Sequence, residues 1–198
     1  STPARLRIQS LQSHAVAGKV FDRINVNIED IFGNRVSSAK KVFLSAFKDS
    51  GCQIPANQFV GLSSTNAVSG QAGFSTIAYT KAENIYILAS SDGVSPICSS
   101  VVTVGPDFAI KLGINGPAGI AVNSCNKITV SPMDSFGNIA PLELSTQINL
   151  SSFGSGFFYA DDQCSGVSVS NRNLPAFSES IDLFFKDSLI EDLSVNFA

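Results

Sequence analysis

The sequence predicts an all-β chain that folds as two tandem β-sandwich domains. Short segments in which apolar and polar residues alternate recur along its 198 residues, and a period of two is typical of strands with one face on a core. Glycine or proline separates the segments, whereas no window keeps helical spacing for three turns. Several of the segments also occur twice in the same order, which indicates an internal duplication.

The clearest repeat matches residues 24–34 to residues 128–138, where an alternating strand leads into an Asp-x-Phe-Gly-Asn turn. Subtracting 24 from 128 gives an offset of 104 residues. Further matches are Leu6 with Ile110 and Ile8 with Leu112 at the same offset, and residues 42–47 with 148–153 at an offset of 106. Because these matches keep one order, we predict that each half of the chain folds as the same unit.

The junction at Gly105-Pro106 divides the chain into domains at 1–105 and 106–198. In the first domain we predict strands near 3–12, 19–29, 40–48, 57–62, 73–80, 84–90 and 98–104. Seven strands are the number expected for an immunoglobulin-like sandwich. In the second we predict strands near 107–114, 125–133, 143–152, 166–170, 177–185 and 189–197. On this count the second domain lacks its last strand, so neighbouring backbone groups would be left unpaired.

Composition excludes several classes of partner. Charged residues make up 15% of the chain and the net charge is −3, so no basic surface is expected to attract nucleic acid. No apolar run approaches the roughly 20 residues that span a bilayer, and we predict no membrane insertion in this segment. The chain starts at Ser1 without a leader-like segment, which we interpret as a processed protein or an excised fragment.

The four cysteines fall two per domain, Cys52 and Cys98 in the first and Cys125 and Cys164 in the second. Four cysteines allow three pairings, and the sequence does not choose among them. One bridge within each domain is the favoured pairing, which predicts an extracellular or cell-surface location. Reduced buried thiols or a metal site are the alternatives. The pairing of Cys52 has a difficulty, because Cys98 at the start of the last strand should lie at the opposite end of the sandwich.

No catalytic centre and no cofactor-binding motif can be identified, so we predict that the chain is not an enzyme. The single histidine, His14, has no nucleophile motif around it, and the acid pairs Glu29-Asp30, Asp161-Asp162 and Glu191-Asp192 are interpreted as loop charges. Calcium is an alternative for the two Asp-x-Phe-Gly-Asn turns. However, Asp30 with Asn34, and Asp134 with Asn138, offer each ion far fewer than the roughly six to eight oxygens that it requires.

Two other features are candidate surface sites. Asn149-Leu150-Ser151 is an N-glycosylation sequon on an expected outward strand face. The glycine-rich segment that carries Phe153, Phe157, Phe158 and Tyr159 has no counterpart in the first half. If its rings are exposed they form a contact loop, whereas core packing is the alternative and the one we favour.

The alternating strands, the Asp-x-Phe-Gly-Asn turns and the Val-Gly-Pro junction resemble the tandem bacterial Ig-like and filamin-like surface repeats of the invasin and intimin group. The resemblance implies a non-catalytic structural or adhesion module that binds a protein partner or self-assembles. Two alternatives remain open: a subunit of a surface fibre or pilus-like filament assembled by strand donation, and a carbohydrate-binding module of a larger secreted protein that binds a glycan.

Overall fold

A computed structural model describes residues 1–189 and 194–197, and all regular structure in that part of the chain is β-strand. None of the described residues forms a helix long and apolar enough to cross a membrane. The chain divides into two compact units, Ser1–Asp107 and Phe108–Ala198, which we call unit 1 and unit 2. These features confirm the predicted fold class of two tandem immunoglobulin-like β-sandwiches.

Unit 1 contains eleven strands, several of which are very short. They are β1 (Arg5–Ser10), β2 (His14–Val16), β3 (Ile24–Glu29), β4 (Lys41–Phe47), β5 (Phe59–Val60), β6 (Ser64–Asn66), β7 (Gln71–Phe74), β8 (Ala78–Tyr79), β9 (Asn84–Ser91), β10 (Val94–Cys98) and β11 (Val102–Gly105).

The strands of unit 1 form two layers that are joined along one side. In one layer β3 lies between β1 and β7, and in the other β9 pairs with β4, which also pairs with β6. β10 connects the layers because it pairs antiparallel with β9 and parallel with β1. β11 continues along β9 and then pairs in parallel with β2. Strand β10 therefore closes this side of the sandwich.

Alternate side chains of these strands fill the core of unit 1. Ile24, Val26 and Ile28 of β3 are fully buried, and they share one hydrophobic cluster with Val42 and Leu44 of β4. Burial of apolar surface stabilises a fold by about 25 cal/mol per Å². The alternation of apolar and polar residues in the sequence therefore identifies the side chains that are buried in this core.

Unit 2 has seven strands among its described residues. They are β12 (Lys111–Asn115), β13 (Asn126–Met133), β14 (Thr146–Phe153), β15 (Phe157–Tyr159), β16 (Asn171–Leu174), β17 (Ile181–Lys186) and β18 (Ser194–Phe197). One sheet has the order β12-β13-β17-β15 and the other has the order β16-β14-β18. The core between them includes Val130, Ile148, Leu150, Leu174 and Leu183.

The two units share one topology. β13 lies between β12 and β17 as β3 lies between β1 and β7, and β14 lies between β16 and β18 as β4 lies between β6 and β9. The register corrects both sequence matches at the first strand. Leu6 faces Ile28 and Ile8 faces Val26, whereas Leu112 faces Pro132 and Ile114 faces Val130. The counterparts of Leu6 and Ile8 are thus Leu112 and Ile114, so unit 2 has two fewer residues than unit 1 between this strand and the Asp-x-Phe-Gly-Asn turn.

Several predicted strand bounds were wrong because strands of this fold break where the chain changes its partner. The predicted strand 73–80 is two strands, β7 and β8, and 98–104 is the end of β10 followed by β11. Strands β2, β6 and β15 were missed, and the strand predicted at 166–170 lies at Asn171–Leu174 instead. Polar composition hid β6 and β16, since Ser64–Asn66 and Asn171–Leu174 carry almost no apolar alternation.

Candidate functional site

Unit 2 presents an open side that unit 1 does not have. Strand β18 pairs with β14, and among the described residues no strand pairs with its second edge. On the opposite layer the outer strand is β12, which pairs with β13 alone. In unit 1 the strands at the corresponding positions, β9 and β1, both pair with β10.

A groove opens on this side of unit 2, and its volume is about 580 Å³. Its walls come from β12, β13, β17 and β18 together with the loop after β12. The apolar lining residues are Ile114, Pro117, Ile120, Ile128, Phe185 and Val195. A groove of this size is within the roughly 300–1,000 Å³ that is typical of binding sites.

The aromatic segment of unit 2 is only partly a contact loop. Phe153 and Phe157 are exposed at 71% and 57%, whereas Phe158 is buried and Tyr159 is half-buried. The Phe158 ring packs edge-on against Phe185, with ring centroids 5.0 Å apart. Phe158 is therefore a core residue and is removed from the candidate contact loop. The reason is the alternation along β15, which places every second side chain inward.

Glycine in this segment serves packing. Gly156 is buried, and a Cβ at this position would overlap the Phe185 ring. The missing side chain therefore allows the backbone to approach an aromatic residue of the core. Nearby, the Ser152 hydroxyl donates to the Gly156 carbonyl at 2.9 Å. The exposed rings of Phe153 and Phe157 thus lie at either end of the connection between β14 and β15, two strands of different sheets.

The disulfide of unit 1 joins Cys52 to Cys98, with Cα atoms 6.0 Å apart. The expected difficulty disappears because Cys98 ends β10 instead of starting the last strand. Cys98 lies opposite Leu88 on β9, two residues along that strand from Tyr86, which faces Phe47 at the end of β4. Cys52 follows β4 by a short turn, so both sulfurs reach the same end of the sandwich.

The disulfide of unit 2 joins Cys125 to Cys164, with Cα atoms 5.6 Å apart. Cys125 precedes β13 directly, and Cys164 lies in the turn after β15. Phe185 of β17 faces Asn126 on one side and Phe158 on the other. The two cysteines therefore approach each other across the middle strand of one sheet.

Both bridges depend on one turn type that was not predicted. In each turn an aspartate precedes the cysteine by three residues, and the cysteine N–H donates to the carbonyl of Asp49 or Asp161. The carboxylate then accepts later N–H groups, those of Gln53 and Ile54 at 2.9 and 2.6 Å in unit 1. The repeated Asp-x-x-Cys spacing was the signal that could have revealed it.

These hydrogen bonds change the acidity of both turn aspartates. Backbone N–H groups, with Ile54 first at Asp49 and Ser165 first at Asp161, hold the pKa of each carboxyl below its usual value. Cys52 and Cys164 adopt positive φ angles of 52° and 48° respectively, which non-glycine residues seldom do. The charged aspartates stabilise a backbone shape that presents the sulfur to its partner. Of the acid pairs in the sequence, Asp161-Asp162 therefore contributes a turn residue, Asp161. The pair Glu191-Asp192 lies outside the described residues.

The two Asp-x-Phe-Gly-Asn turns have the same geometry. The Asp30 carboxylate accepts the N–H groups of Phe32 and Asn34, both at 2.9 Å, and Asp134 accepts those of Phe136 and Asn138 at the same distance. The backbone hydrogen bond from Asn34 is the main cause of a lowered pKa at Asp30. Oxygens that calcium would need are already occupied by N–H donors, which favours turn formation over calcium. No group of three metal-binding side chains occurs among the described residues.

The remaining candidates lie apart from one another. His14 is exposed on β2, where its ring lies 3.0 Å from the Ser13 hydroxyl. Glu29 is buried and is paired with Arg5 at 3.3 Å, so it holds two strands together. Asn149 is exposed in the middle of β14, opposite Asn171 of β16. Its side chain is accessible to a modifying enzyme, while glycosylation itself remains a prediction.

No protein-family model matches the chain, and no curated protein matches it in sequence. Among solved structures it is similar to the D0-D1 domain of intimin, with 12% identity and a TM-score of 0.35 over 96% of this chain and 90% of that one. It is also similar to the adhesin InvE of Yersinia pseudotuberculosis, with 12% identity and a TM-score of 0.41 over 93% of this chain and 55% of that one.

A β-glycosidase from Bacteroides vulgatus is similar as well, with 11% identity and a TM-score of 0.37. The alignment covers 100% of this chain but 24% of the glycosidase chain. The assignment to a fold stands on the strand order and register described above.

Proposed function

We propose that the chain is a non-catalytic structural or adhesion module of an extracellular or cell-surface protein. The observation that carries the proposal is the pair of disulfides, one within each sandwich. Such bridges persist in oxidising compartments, and they stabilise small β domains whose cores are limited. The aspartates of the four turns stabilise loops, which favours a framework role over catalysis.

Thiol titration tests this proposal. The full chain is prepared by secretion into an oxidising compartment, unfolded without reductant and titrated for free thiols. We expect none, and we expect protease resistance that falls sharply after reduction. Four free thiols in secreted, folded protein would overturn both the bridges and the extracellular assignment.

Strand donation is a second candidate, and the open side of unit 2 favours it. A strand edge is a template for pairing with another chain, and addition of a strand to an exposed edge is a known recognition mode. In this candidate the module is a subunit of a surface fibre. Light scattering after size-exclusion chromatography is expected to show a mass that rises with protein concentration, while a constant monomer mass would contradict self-assembly.

The carbohydrate-binding alternative has less support. The exposed side chains of Phe153 and Phe157 are the aromatic groups that a glycan could contact. However, aromatic surfaces that bind sugars usually consist of tryptophan or tyrosine. No described feature favours it over the other two candidates.

A further inference from the structure

Asn149 and Ser151 lie on the outer face of the sheet β16-β14-β18 in unit 2. Both side chains are exposed, whereas Leu150 between them is buried in the core, because successive side chains of a strand point to opposite faces. An asparagine followed two residues later by a serine is the acceptor sequence for an N-linked oligosaccharide. The strand thus presents both residues of this sequence on one accessible face.

The internal duplication provides a comparison for this face. At the offset of 106 residues, Asn149 occupies the position of Phe43 in unit 1. The strand register likewise places Asn196 at the position of Leu88. In unit 1, Phe43 lies beneath Lys41, whose Nζ is 5.4 Å from the ring centroid, and Leu88 is half-buried. Unit 2 therefore exposes amide groups at positions where unit 1 carries apolar side chains.

Neutral polar side chains surround Asn149 on the outer face. The exposed neighbours on β14, β16 and β18 are Gln147, Ser151, Asn171, Asn173 and Asn196. Along β14, the next exposed apolar side chain on this face is Phe153, about 13 Å from Asn149. Aromatic residues, methionine and arginine are enriched at protein interfaces, so the surroundings of Asn149 are poorly suited to bind a protein. Amide and hydroxyl groups, in contrast, match the hydrogen-bonding hydroxyls of an oligosaccharide.

We propose that Asn149 carries an N-linked oligosaccharide that covers this face, and that the sugar is attached before unit 2 folds. The donor is an oligosaccharide linked to a lipid diphosphate. The Asn149 Nδ2 atom forms a bond to C1 of the first sugar, the bond from C1 to the phosphate oxygen breaks, and the lipid diphosphate leaves. The amide proton that is released passes to a base of the transferase. This inference rests on the proposed extracellular location, because the donor acts on chains that enter the secretory route.

The pairing of β14 determines when the sugar is attached. Asn149 pairs with Asn171 of β16, and Ser151 pairs with Asn196 of β18, so the acceptor sequence lies in the middle of a formed sheet. A transferase must surround this segment to position both the Nδ2 atom and the serine hydroxyl. Although the Asn149 side chain is exposed in the folded chain, neighbouring strands flank its backbone. Attachment therefore precedes formation of the sheet.

Secretion of the full chain from a eukaryotic cell tests the attachment. The sugar is located by mass spectrometry after release with an N-glycosidase, which converts the linked asparagine to aspartate. We expect this conversion at Asn149 and its loss in Asn149→Gln and in Ser151→Ala. Asn173→Gln is the matched control, because Asn173 is an exposed amide of the same face outside the acceptor sequence. This variant should keep the sugar.

Transfer of the sugar to the purified chain tests the order of events. The full chain is produced without the sugar in bacteria, and one sample is oxidised and folded while another is reduced, alkylated and unfolded. Purified oligosaccharyltransferase and lipid-linked oligosaccharide are added to both samples. We expect transfer to Asn149 of the unfolded chain and no detectable transfer to the folded chain over the same time. Equal transfer to both samples would overturn the order.

The outcomes separate this inference from the proposed function. A secreted chain with both disulfides but an unmodified Asn149 overturns the inference and leaves the extracellular module in place. A chain that carries the sugar but has four free thiols keeps the inference and contradicts the disulfides. Sugar that persists at Asn149 in Ser151→Ala would show that this acceptor sequence is not what the transferase recognises, and it would overturn the inference as well.

Discussion

Single aspartates determine the shape of the loops in both units. Asp30, Asp49, Asp134 and Asp161 each accept at least two backbone N–H groups within a short turn. A charged acceptor strengthens such hydrogen bonds, and it compensates N–H groups that no strand satisfies. The low content of charged residues therefore understates the importance of the few that are present.

Replacement of the turn aspartate should destabilise its unit. Asp30→Ala removes the acceptor for Phe32 and Asn34 and leaves their N–H groups without their partner, so we expect the melting temperature of unit 1 to fall by about 5 °C or more. Circular dichroism of the full chain measures this. Asp22→Ala, at an exposed aspartate outside the turn, should change the melting temperature little, and equal losses in the two variants would contradict the role assigned to the turn.

The dependence of stability on pH follows from lowered carboxyl pKa values. Hydrogen bonds lower the pKa of Asp30, Asp49 and Asp161 in the folded chain. At Glu83 burial acts to raise the pKa, but hydrogen bonds from Tyr79 and Lys81 outweigh it and the pKa is lowered. A group with a lowered folded pKa contributes stability above its unfolded pKa, and this contribution is lost as pH falls through the folded pKa.

We therefore expect the free energy of unfolding to be nearly constant from pH 7 to about 5 and to fall steeply below about 4. Urea titrations at fixed ionic strength give this profile. Asp49→Asn keeps an acceptor oxygen but removes the titration, so its acid dependence should be shallower than that of the native chain. An unchanged slope in this variant would show that the Asp49 turn does not contribute.

At the scale of strands, the hairpin β9–β10 determines which cysteines meet. Asp92-Gly93 forms the turn, with Gly93 at a φ of 67°, and β10 then runs back along β9 to place Cys98 opposite Leu88. A glycine accepts this left-handed backbone conformation without steric cost. The Asp-x-x-Cys turn supplies the other sulfur. Neither element forms the bridge alone.

Loss of either bridge should cost its unit about 4 kcal/mol in the chain-entropy model, because the separations of 46 and 39 residues are similar. Cys52→Ser with Cys98→Ser tests unit 1, and Cys125→Ser with Cys164→Ser tests unit 2. Denaturant unfolding of each variant, compared with the native chain, measures the loss. A loss well below about 1 kcal/mol would indicate that the bridge does not constrain the unfolded chain.

At the scale of the whole molecule, unit 1 contains everything that its fold requires. Its hydrophobic cluster, its disulfide and the strands that close both sides all lie before residue 108. The described core of unit 2 is smaller, and one of its sides is an open groove. The two units are thus expected to differ in stability despite their common topology.

Excision tests this difference. A fragment of residues 1–107 should fold alone with a β circular dichroism spectrum and a melting temperature within a few degrees of the unit 1 transition in the full chain. Calorimetry of the full chain should show an earlier transition, assigned to unit 2 by its loss in the fragment. An unfolded fragment would show that unit 1 depends on unit 2.

Sequence alone determined the fold class, the core-facing residues and the duplication. These properties are local. Alternation along one strand indicates which side chains are buried, and an Asp-x-Phe-Gly-Asn turn is held by hydrogen bonds among its own residues. Alternation and the repeat together thus assign Val26 and Val130 to equivalent core positions. The proximity of Cys52 to Cys98, by contrast, depends on the return of β10 along β9, which no local pattern reports.

Only the tertiary structure decided the properties that depend on pairing between distant strands. Register determines which edge of β18 has no partner among the described residues, which residues line the groove and which of Phe157 and Phe158 is exposed. A shift of one residue in register exchanges the two faces of a strand. Such a shift leaves the sequence of the strand unchanged, so the register is determined by the hydrogen-bonded partner across the sheet and not by the strand alone.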